Sequence, residues 1–277
     1  MNKPVLDVTR ILKDYNLRAQ KEYGQNFLQD PDILQSIADC AEIQPDETVL
    51  EIGPGLGTLT VYLAEQAKQV KCVEIDAGFV RVLKKTTAAY PNVQVILGDI
   101  LQIDPATVAQ SDDFLVVANV PYYITSAIFR HLLGASKKPK RIILTIQKEV
   151  AQRICNIHEE QSLLSLSIQI YGKPRILHRI PAEAFNPVPK VDSAVLRVDL
   201  FDQPVIPVDQ IDDFFKLTKA GFSQKRKTLK NSLSATLQKK PAEIQDLLLS
   251  QQVDPNRRAE TLSIEEWQRL IPLFAKQ

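Results

Sequence analysis

Five short apolar runs, most of them rich in β-branched residues and alternating with segments of helical length, constrain the fold of this chain most strongly. A strand buried on both faces is apolar almost throughout, and its alternation with helices is typical of βαβ units around a parallel sheet. The predicted strands are TVLEIG, QVKCVEID, VQVILGD, DFLVVANV and RIILTIQ, and the predicted helices cover residues 57–67, 77–88, 124–135 and 147–157.

Two further runs, KPRILHRI and SAVLRVDLF, have no helix between them, so we expect an antiparallel edge hairpin. After FDQPVIPVDQ the apolar spacing becomes helical. Helices are predicted over residues 209–221, 224–238, 242–250 and 263–275. The predicted fold is therefore α/β, with a doubly wound, Rossmann-like domain over residues 1–205 and a small all-helical domain over residues 206–277.

The composition is that of an ordinary globular protein and does not indicate a particular binding partner. The 277 residues are 44% hydrophobic and 24% charged, with a net charge of +1. The three cysteines and three histidines have neither CxxC nor HxxxH spacing, so we expect no disulfide framework and no metal site. Without a signal-peptide pattern or an apolar stretch of about 18 residues, we expect a cytoplasmic protein that does not contact membranes.

A glycine-rich loop follows the first predicted strand, in the position of a nucleotide-binding loop. Gly53, Gly55 and Gly57 allow the main chain to turn tightly and to approach a ligand closely. The third glycine comes two residues after the second, and not three as in the dinucleotide pattern GxGxxG. Glu51, just before the loop, suits a cationic ligand better than a pyrophosphate, although NAD is a competing ligand.

Carboxylates end the next two predicted strands. Glu74 ends the second strand, where a carboxylate accepts hydrogen bonds from a ribose diol, and Asp99 ends the third, where it can accept from an adenine amine. The alternative is that both side chains only cap the helices that follow. Together with the glycine loop, the two acids resemble the S-adenosylmethionine site of class I methyltransferases.

The fourth predicted strand ends in NVPYYI, which holds the parts needed to bind the amino group of a base. Asn119 offers an amide acceptor, Val120 a carbonyl fixed before Pro121, and Tyr122 an aromatic plane. Two acceptors that take the hydrogens of an exocyclic amine can aim its lone pair at a methyl donor. Tyr123 has no evident chemical role, and we expect it to pack.

This motif resembles the (N/D)PPY motif of amino-group methyltransferases and, in its N-(L/I/V)-P-Y form, the ribosomal RNA adenine N6-dimethyltransferases. Four more stretches match that family: YGQNFL at 23–28, QKEVAQR at 147–153, FNPVPKVDSAV at 185–195 and RRAETLS at 257–263. The resemblance covers nearly the whole chain. It implies a class I methyltransferase domain that uses S-adenosyl-L-methionine.

The resemblance also implies the roles of individual residues. The implied cofactor site contains Asn26, Leu28, Gly53, Gly55, Glu74, Asp99 and Asn119. The implied catalytic group is Asn119, Val120, Pro121 and Tyr122, with Tyr122 and Phe185 on either side of a flipped adenine. From the residues alone, Phe185 could equally be a core residue that props a proline-stiffened loop.

One branch of this family dimethylates two adjacent adenines in the 3′-terminal hairpin of 16S rRNA, and another acts on one adenine of large-subunit rRNA. The length, the near-neutral charge and the RRAETLS tail are more similar to the first branch. We therefore expect a monomeric enzyme whose partner is the small ribosomal subunit and which contributes to its biogenesis. The alternative is an assembly factor that kept the fold and lost the chemistry.

A basic run in the predicted helical domain is the candidate RNA-binding surface. Residues 219–240 contain seven lysines or arginines and no acid. Cations without counter-charges displace ions from a nucleic-acid backbone, whereas the alternative is a solvated helix face. The candidate RNA-binding residues are Lys225, Arg226, Lys227 and Lys230.

Overall fold

A computed structural model, which describes residues 5–18, 25–156 and 161–274, is built around a seven-stranded sheet. The strands of the described residues are β1 Phe27–Leu28, β2 Thr48–Ile52, β3 Gln69–Glu74, β4 Val93–Leu97, β5 Phe114–Asn119, β6 Arg141–Gln147, β7 Gly172–Ile180, β8 Phe185–Asn186 and β9 Ser193–Leu200. β1 and β8 pair with each other as a separate two-stranded sheet. The other seven strands form the central sheet.

The order of strands in the central sheet is β4-β3-β2-β5-β6-β9-β7. The first five are parallel to their neighbours, and β9 pairs antiparallel with β6. The predicted parallel strands, and the pairing of the two last strands at one edge, are therefore confirmed. The chain passes from β2 outward to β4 and then returns to place β5 on the other side of β2, which opens a crevice at the carboxyl ends of the strands.

The helices of the described residues are α1 Val8–Asp14, α2 Pro31–Cys40, α3 Thr60–Ala64, α4 Ala77–Thr86, α5 Pro105–Ala109, α6 Thr125–Leu133, α7 Lys148–Cys155, α8 Leu163–Gln169, α9 Ile211–Phe222, α10 Leu229–Leu237, α11 Pro241–Ser250 and α12 Ile264–Phe274. The eight predicted helices are confirmed, six of them within shorter bounds; α9 ends one residue later and α11 begins one residue earlier than predicted. Of those not predicted, α2 has a clear sequence signal, because Asp30 caps its first turn and Pro31 begins it.

Contacts divide the chain into two units, Met1–Ala151 with Pro174–Leu200, and Gln152–Lys173 with Phe201–Gln277. The division predicted after residue 205 did not include residues 152–173 in the helical unit. These residues belong there because Leu166 on α8 and Ile170 just after it belong to the core that surrounds Trp267. The assignment of separate functions to residues 1–205 and 206–277 stays a prediction.

The helical unit packs closely around one aromatic side chain. Trp267 on α12 is fully buried, and a Cβ atom added to Gly221 on α9 would lie 2.5 Å from its ring. The start predicted for the second helix of this unit, at residue 224, is wrong, because α10 begins at Leu229. The amide of Leu229 donates a hydrogen bond to the carbonyl of Arg257, which anchors the start of the helix there. Three adjacent cations, Lys225, Arg226 and Lys227, lie shortly before it, and their mutual repulsion disfavours a helical turn.

In the α/β unit, the central strands supply the core. β5 is buried from Phe114 to Ala118, and β6 from Ile142 to Ile146. Such strands hold the side chains at their carboxyl ends in fixed positions. None of the helices in the described ranges is both long and apolar enough to cross a membrane.

Candidate active site

A cavity of about 250 Å³ lies at the carboxyl edge of the sheet, in the α/β unit. The segments that follow β2, β3, β4 and β5 all contribute to its wall. The predicted cofactor and substrate residues that line it are Asn26, Leu28, Gly53, Gly55, Glu74, Asp99, Asn119, Val120, Pro121, Tyr122 and Phe185. The fold thus brings together every residue predicted for cofactor binding and for chemistry.

The glycine loop follows β2 and has a backbone that favours glycine. Gly53 and Gly55 have φ angles of +66° and +57°, in the left-handed region. A Cβ atom on Gly55 would also lie 2.9 Å from the Phe27 ring. The local conformation therefore favours glycine at both positions, and at Gly55 the packing against Phe27 disfavours any side chain as well.

Glu74, at the end of β3, is 5% exposed and ties two segments of the cavity wall together. Its carboxylate accepts hydrogen bonds from the amides of Gly55 and Asp76, each at 3.0 Å. Burial raises the pKa of Glu74, and these amide donors oppose the change. Asp76, and not Glu74, caps α4, so the capping alternative is wrong for Glu74.

Asp99 lines the cavity and also caps a short 3₁₀ helix, Ile100–Gln102. Its Oδ1 atom accepts a hydrogen bond from the amide of Leu101 at 2.9 Å. Asp99 does cap the helix that follows, as the alternative stated, but capping does not exclude a place beside a ligand, since a carboxylate has further lone pairs.

Glu51 on β2 is a nearly fully buried carboxyl group in the same wall, with 2% of its surface exposed. The thiol of Cys72 donates to its Oε2 atom at 3.5 Å. Burial raises the pKa of Glu51 to about 7, with a smaller contribution in the same direction from the charge of Glu74. The cavity therefore contains a carboxyl group that changes its charge near neutral pH.

The NVPYYI segment leaves β5 directly into the cavity wall. The side-chain Nδ2 of Asn119 donates to the main-chain carbonyl of Asn26 at 3.3 Å, which orients its Oδ1 atom as an acceptor. Tyr122 is half-buried, and its hydroxyl lies 2.7 Å from the Oγ atom of Ser193. The expectation that Tyr123 packs is wrong, because its side chain is 64% exposed at the cavity.

Phe185 forms part of both the core and the cavity wall. It is 2% exposed, packs in the core of the α/β unit and pairs with Leu28 where β8 meets β1. Phe185 is therefore a core residue, as the alternative stated. It also lines the cavity, so its place in the core does not exclude a role in the site.

The candidate RNA-binding residues belong to the helical unit and not to the cavity. Lys225, Arg226 and Lys227 are exposed in the turn between α9 and α10, so they do not form the helix face that the alternative required. Lys230 is half-buried on α10, and its Nζ donates to Gln245 at 2.9 Å.

Two residues that contact the site were assigned no role from the sequence, although both lie in stretches that match the family. Ser193 is separated from Tyr122 by 71 positions, and Phe27 contacts the glycine loop only through the fold. Ile75 was detectable, since it follows Glu74 directly; it lines the cavity although it is 62% exposed. Within the described part of the chain, no group of histidine, cysteine or acidic residues could hold a metal ion.

The model of one family, "Ribosomal RNA adenine dimethylase", matches residues 16–276. The chain belongs to this family. A Ribosomal RNA small subunit methyltransferase A from Dehalococcoides mccartyi is 41% identical over 96% of this chain and 92% of that protein. The same-named protein of Bacillus pumilus is 39% identical over 100% of this chain and 99% of its own length.

Solved structures agree with this assignment. A dimethyladenosine transferase from Plasmodium falciparum superposes with a TM-score of 0.76 and 27% identity, over 90% of this chain and 98% of that one. The 23S rRNA methyltransferase ErmE superposes with a TM-score of 0.73 and 29% identity, over 91% of this chain and 100% of that one. The predicted family, Rossmann-like methyltransferase fold and methyltransferase activity are confirmed.

Proposed function

We propose that this protein transfers methyl groups from S-adenosyl-L-methionine to the N6 atoms of two adjacent adenosines in the 3′-terminal hairpin of 16S rRNA. The observation that carries the proposal is the Asn119 amide, oriented by the Asn26 carbonyl at the edge of a cavity that also contains Tyr122 and Phe185. The small-subunit branch is favoured because relatives named for that subunit are about 40% identical over nearly the whole chain.

The residues present fit the proposed cofactor. Gly53 and Gly55 present main chain without a side chain to the cavity, and Glu74 and Asp99 supply carboxylate acceptors for a ribose and an adenine amine. The buried Glu51 suits the positive charges of this ligand, and Ile75 offers an apolar surface to its base. When bound, the cofactor supplies a methyl group activated by its sulfonium.

We assign the positioning of the target amine to the carboxyl end of β5. The Oδ1 atom of Asn119 and the main-chain carbonyl of Val120 accept its two hydrogens, which aims the nitrogen lone pair away from both acceptors. Tyr122 and Phe185 hold the flipped base between their rings. No strong base is required, because the nitrogen becomes acidic once it is methylated and its proton leaves to solvent. Positioning and electrostatics therefore do most of the catalysis.

The exposed cations Lys225, Arg226 and Lys227 are proposed to contact RNA phosphates, and Lys230 to support that surface. Three adjacent cations in a turn, with no acid between residues 219 and 240, favour such a role. A monomeric state, a cytoplasmic location and a contribution to small-subunit biogenesis stay predictions. The assembly factor without chemistry is disfavoured, since every predicted cofactor residue lies at one cavity.

Small ribosomal subunits that lack the modification, incubated with radiolabelled S-adenosyl-L-methionine, test the proposal. We expect label at two adjacent adenosines of the 3′-terminal hairpin, mapped by nuclease digestion and primer extension. Label elsewhere, or none, would refute the proposed substrate. Calorimetry with the cofactor separates the alternative, because the enzyme must bind the cofactor whereas a pure assembly factor need not.

Variants of the proposed amine site test the mechanism separately. Asn119→Ala should reduce turnover roughly 100-fold or more with the circular dichroism spectrum unchanged, because a preorganised acceptor is lost. Tyr122→Ala should weaken turnover but largely keep cofactor affinity, since base stacking is worth about 1 to 3 kcal/mol. The matched control is Asn256→Ala, which truncates an exposed asparagine of the helical unit. Near-normal turnover of Asn119→Ala would contradict the assigned role.

A further inference from the structure

We propose that Ser193 is a positioning residue that holds the Tyr122 ring in the orientation required to stack on the target base. The inference rests on the proposed function, in which Tyr122 contacts that base. It assigns a task to a side chain that does not line the cavity and reaches the substrate only through Tyr122.

The hydrogen bond between the two hydroxyl groups carries this inference. The Tyr122 hydroxyl and Ser193 Oγ lie 2.7 Å apart, which is the usual distance of a strong O–H···O bond. Tyr122 is half-buried in a short 3₁₀ helix, Tyr122–Ile124, so its ring is not held by burial on all sides. The hydroxyl is the one polar atom through which the protein can fix the far end of the ring.

Ser193 is itself rigidly placed. It is 0% exposed and is the first residue of β9, where it pairs with Gln147 at the end of β6. A side chain on a buried strand of the central sheet has little freedom, so it provides a fixed point for the less buried Tyr122 ring. Through its hydrogen bond with Tyr122, the Ser193 hydroxyl thus connects a residue of the cavity wall to a rigid strand of the sheet.

The segment before Ser193 connects the second ring of the proposed base site to the same point. Phe185 lies within residues 182–192, and Asp192 closes this segment by accepting a hydrogen bond from the Ala182 amide at 3.3 Å. The Asp192 carbonyl also accepts from the Lys148 amide at 3.1 Å. Phe185 therefore lies in a closed segment tied to the residue that follows β6, and Ser193, the anchor of Tyr122, comes directly after that segment.

Fixing both rings in advance lowers the cost of binding a base between them. A ring that must be ordered on binding loses rotational freedom at that moment, whereas a preorganised ring does not. A small rotation of the stacked base would also move its amine away from the two acceptors, so orientation affects the rate of transfer. Loss of the Ser193 hydroxyl should therefore reduce kcat more than it raises KM for RNA.

A double-mutant cycle tests the inference with Ser193→Ala, Tyr122→Phe and the protein that carries both changes. Ser193→Thr keeps a hydroxyl and should recover part of the activity. The matched control is Thr87→Val, which removes another buried hydroxyl of the α/β unit, bonded to the Leu83 carbonyl and outside the cavity wall. Each protein is assayed for kcat and KM with small subunits, for cofactor affinity, and for equilibrium unfolding in urea.

We expect Ser193→Ala and Tyr122→Phe each to lower kcat roughly 5- to 10-fold, as for one hydrogen bond, with cofactor affinity unchanged. The double variant should lose little more than either single one, because both changes remove the same bond. Losses that multiply, or normal turnover of Ser193→Ala, would overturn the inference. A loss of kcat in the Thr87→Val control equal to that in Ser193→Ala would also overturn the inference.

The unfolding measurements separate this inference from the proposed function. If the wild-type protein methylates no adenosine, the proposed function fails, and with it the base-holding role of the pair. The cycle of unfolding free energies still reports whether the two hydroxyls are coupled. A wild-type protein that is active but shows no coupling in unfolding or in turnover overturns the role of Ser193 alone.

Discussion

The buried carboxyl group of Glu51 should make the stability of this protein fall as the pH rises through neutrality. Its pKa rises from the ordinary value of 4.5 to about 7 in the folded state, chiefly because burial disfavours the charged form. Between these two values the folded state retains a proton that the unfolded state has released. The stabilisation is therefore complete below about pH 4.5 and is lost as the pH rises through about 7.

The size of this effect follows from the two pKa values. Each tenfold change in proton affinity is worth about 1.4 kcal/mol, so a pKa that rises from 4.5 to about 7 corresponds to about 3 kcal/mol. Glu51 is 2% exposed, so solvent screens little of this energy. Glu51→Gln has no ionisable group at this position and should lack this part of the pH dependence.

Equilibrium unfolding in urea between pH 4.5 and pH 8.5 measures the difference. Relative to Glu51→Gln, the wild-type protein should lose about 3 kcal/mol of unfolding free energy across this range. Glu149→Gln, which changes an exposed glutamate on α7, is the matched control and should follow the wild-type profile. If the wild-type and Glu51→Gln profiles stay parallel, Glu51 does not titrate near neutrality and the argument from burial is wrong.

Three further predictions concern the cofactor site, the helical core and the basic turn. At pH 7, binding of S-adenosyl-L-methionine should release up to about half a proton from Glu51, a release that Glu51→Gln should lack, because a cationic ligand lowers the pKa of a neighbouring carboxyl group; calorimetry in buffers of different ionisation enthalpy detects this release. Gly221→Ala should reduce the free energy of unfolding by about 1 to 3 kcal/mol, because the new methyl group would overlap the Trp267 ring, and an unchanged urea midpoint would contradict this packing. Replacing Lys225, Arg226 and Lys227 with glutamine should reduce the slope of log affinity for RNA against log salt by roughly 2 to 3, with cofactor affinity kept; an unchanged slope would exclude phosphate contacts there.

Much of the α/β architecture could be predicted because its signals are local. Each parallel strand is an apolar run that ends in a loop, and the carboxyl ends of parallel strands meet at one edge. Placing Gly53, Glu74, Asp99 and Asn119 at one cavity required only the strand order. The short helices α1, α5 and α8 gave too little periodic pattern, since each has seven residues or fewer.

Predictions from local patterns failed where a contact with a residue distant in the sequence decides the structure. The apolar spacing extends the second helix of the helical unit back to residue 224, but the Arg257 carbonyl holds the amide of Leu229 and marks the start of α10. Residues 152–173 join the helical unit for a similar reason, because Leu166 on α8 and Ile170 just after it belong to the apolar core that contains Trp267. Neither contact leaves a signal in the neighbouring sequence.

The sequence by itself determined the family, the parallel sheet and the groups proposed to face the cofactor and the base, because these depend on residue types at strand ends. Only the tertiary structure decided how those groups are held. The Asn119 amide meets the Asn26 carbonyl across 93 positions, and Tyr122 meets Ser193 across 71. The burial that raises the pKa of Glu51 likewise depends on the strands and helices packed around it. Such contacts follow from strand register and loop closure, which no local pattern of residues specifies.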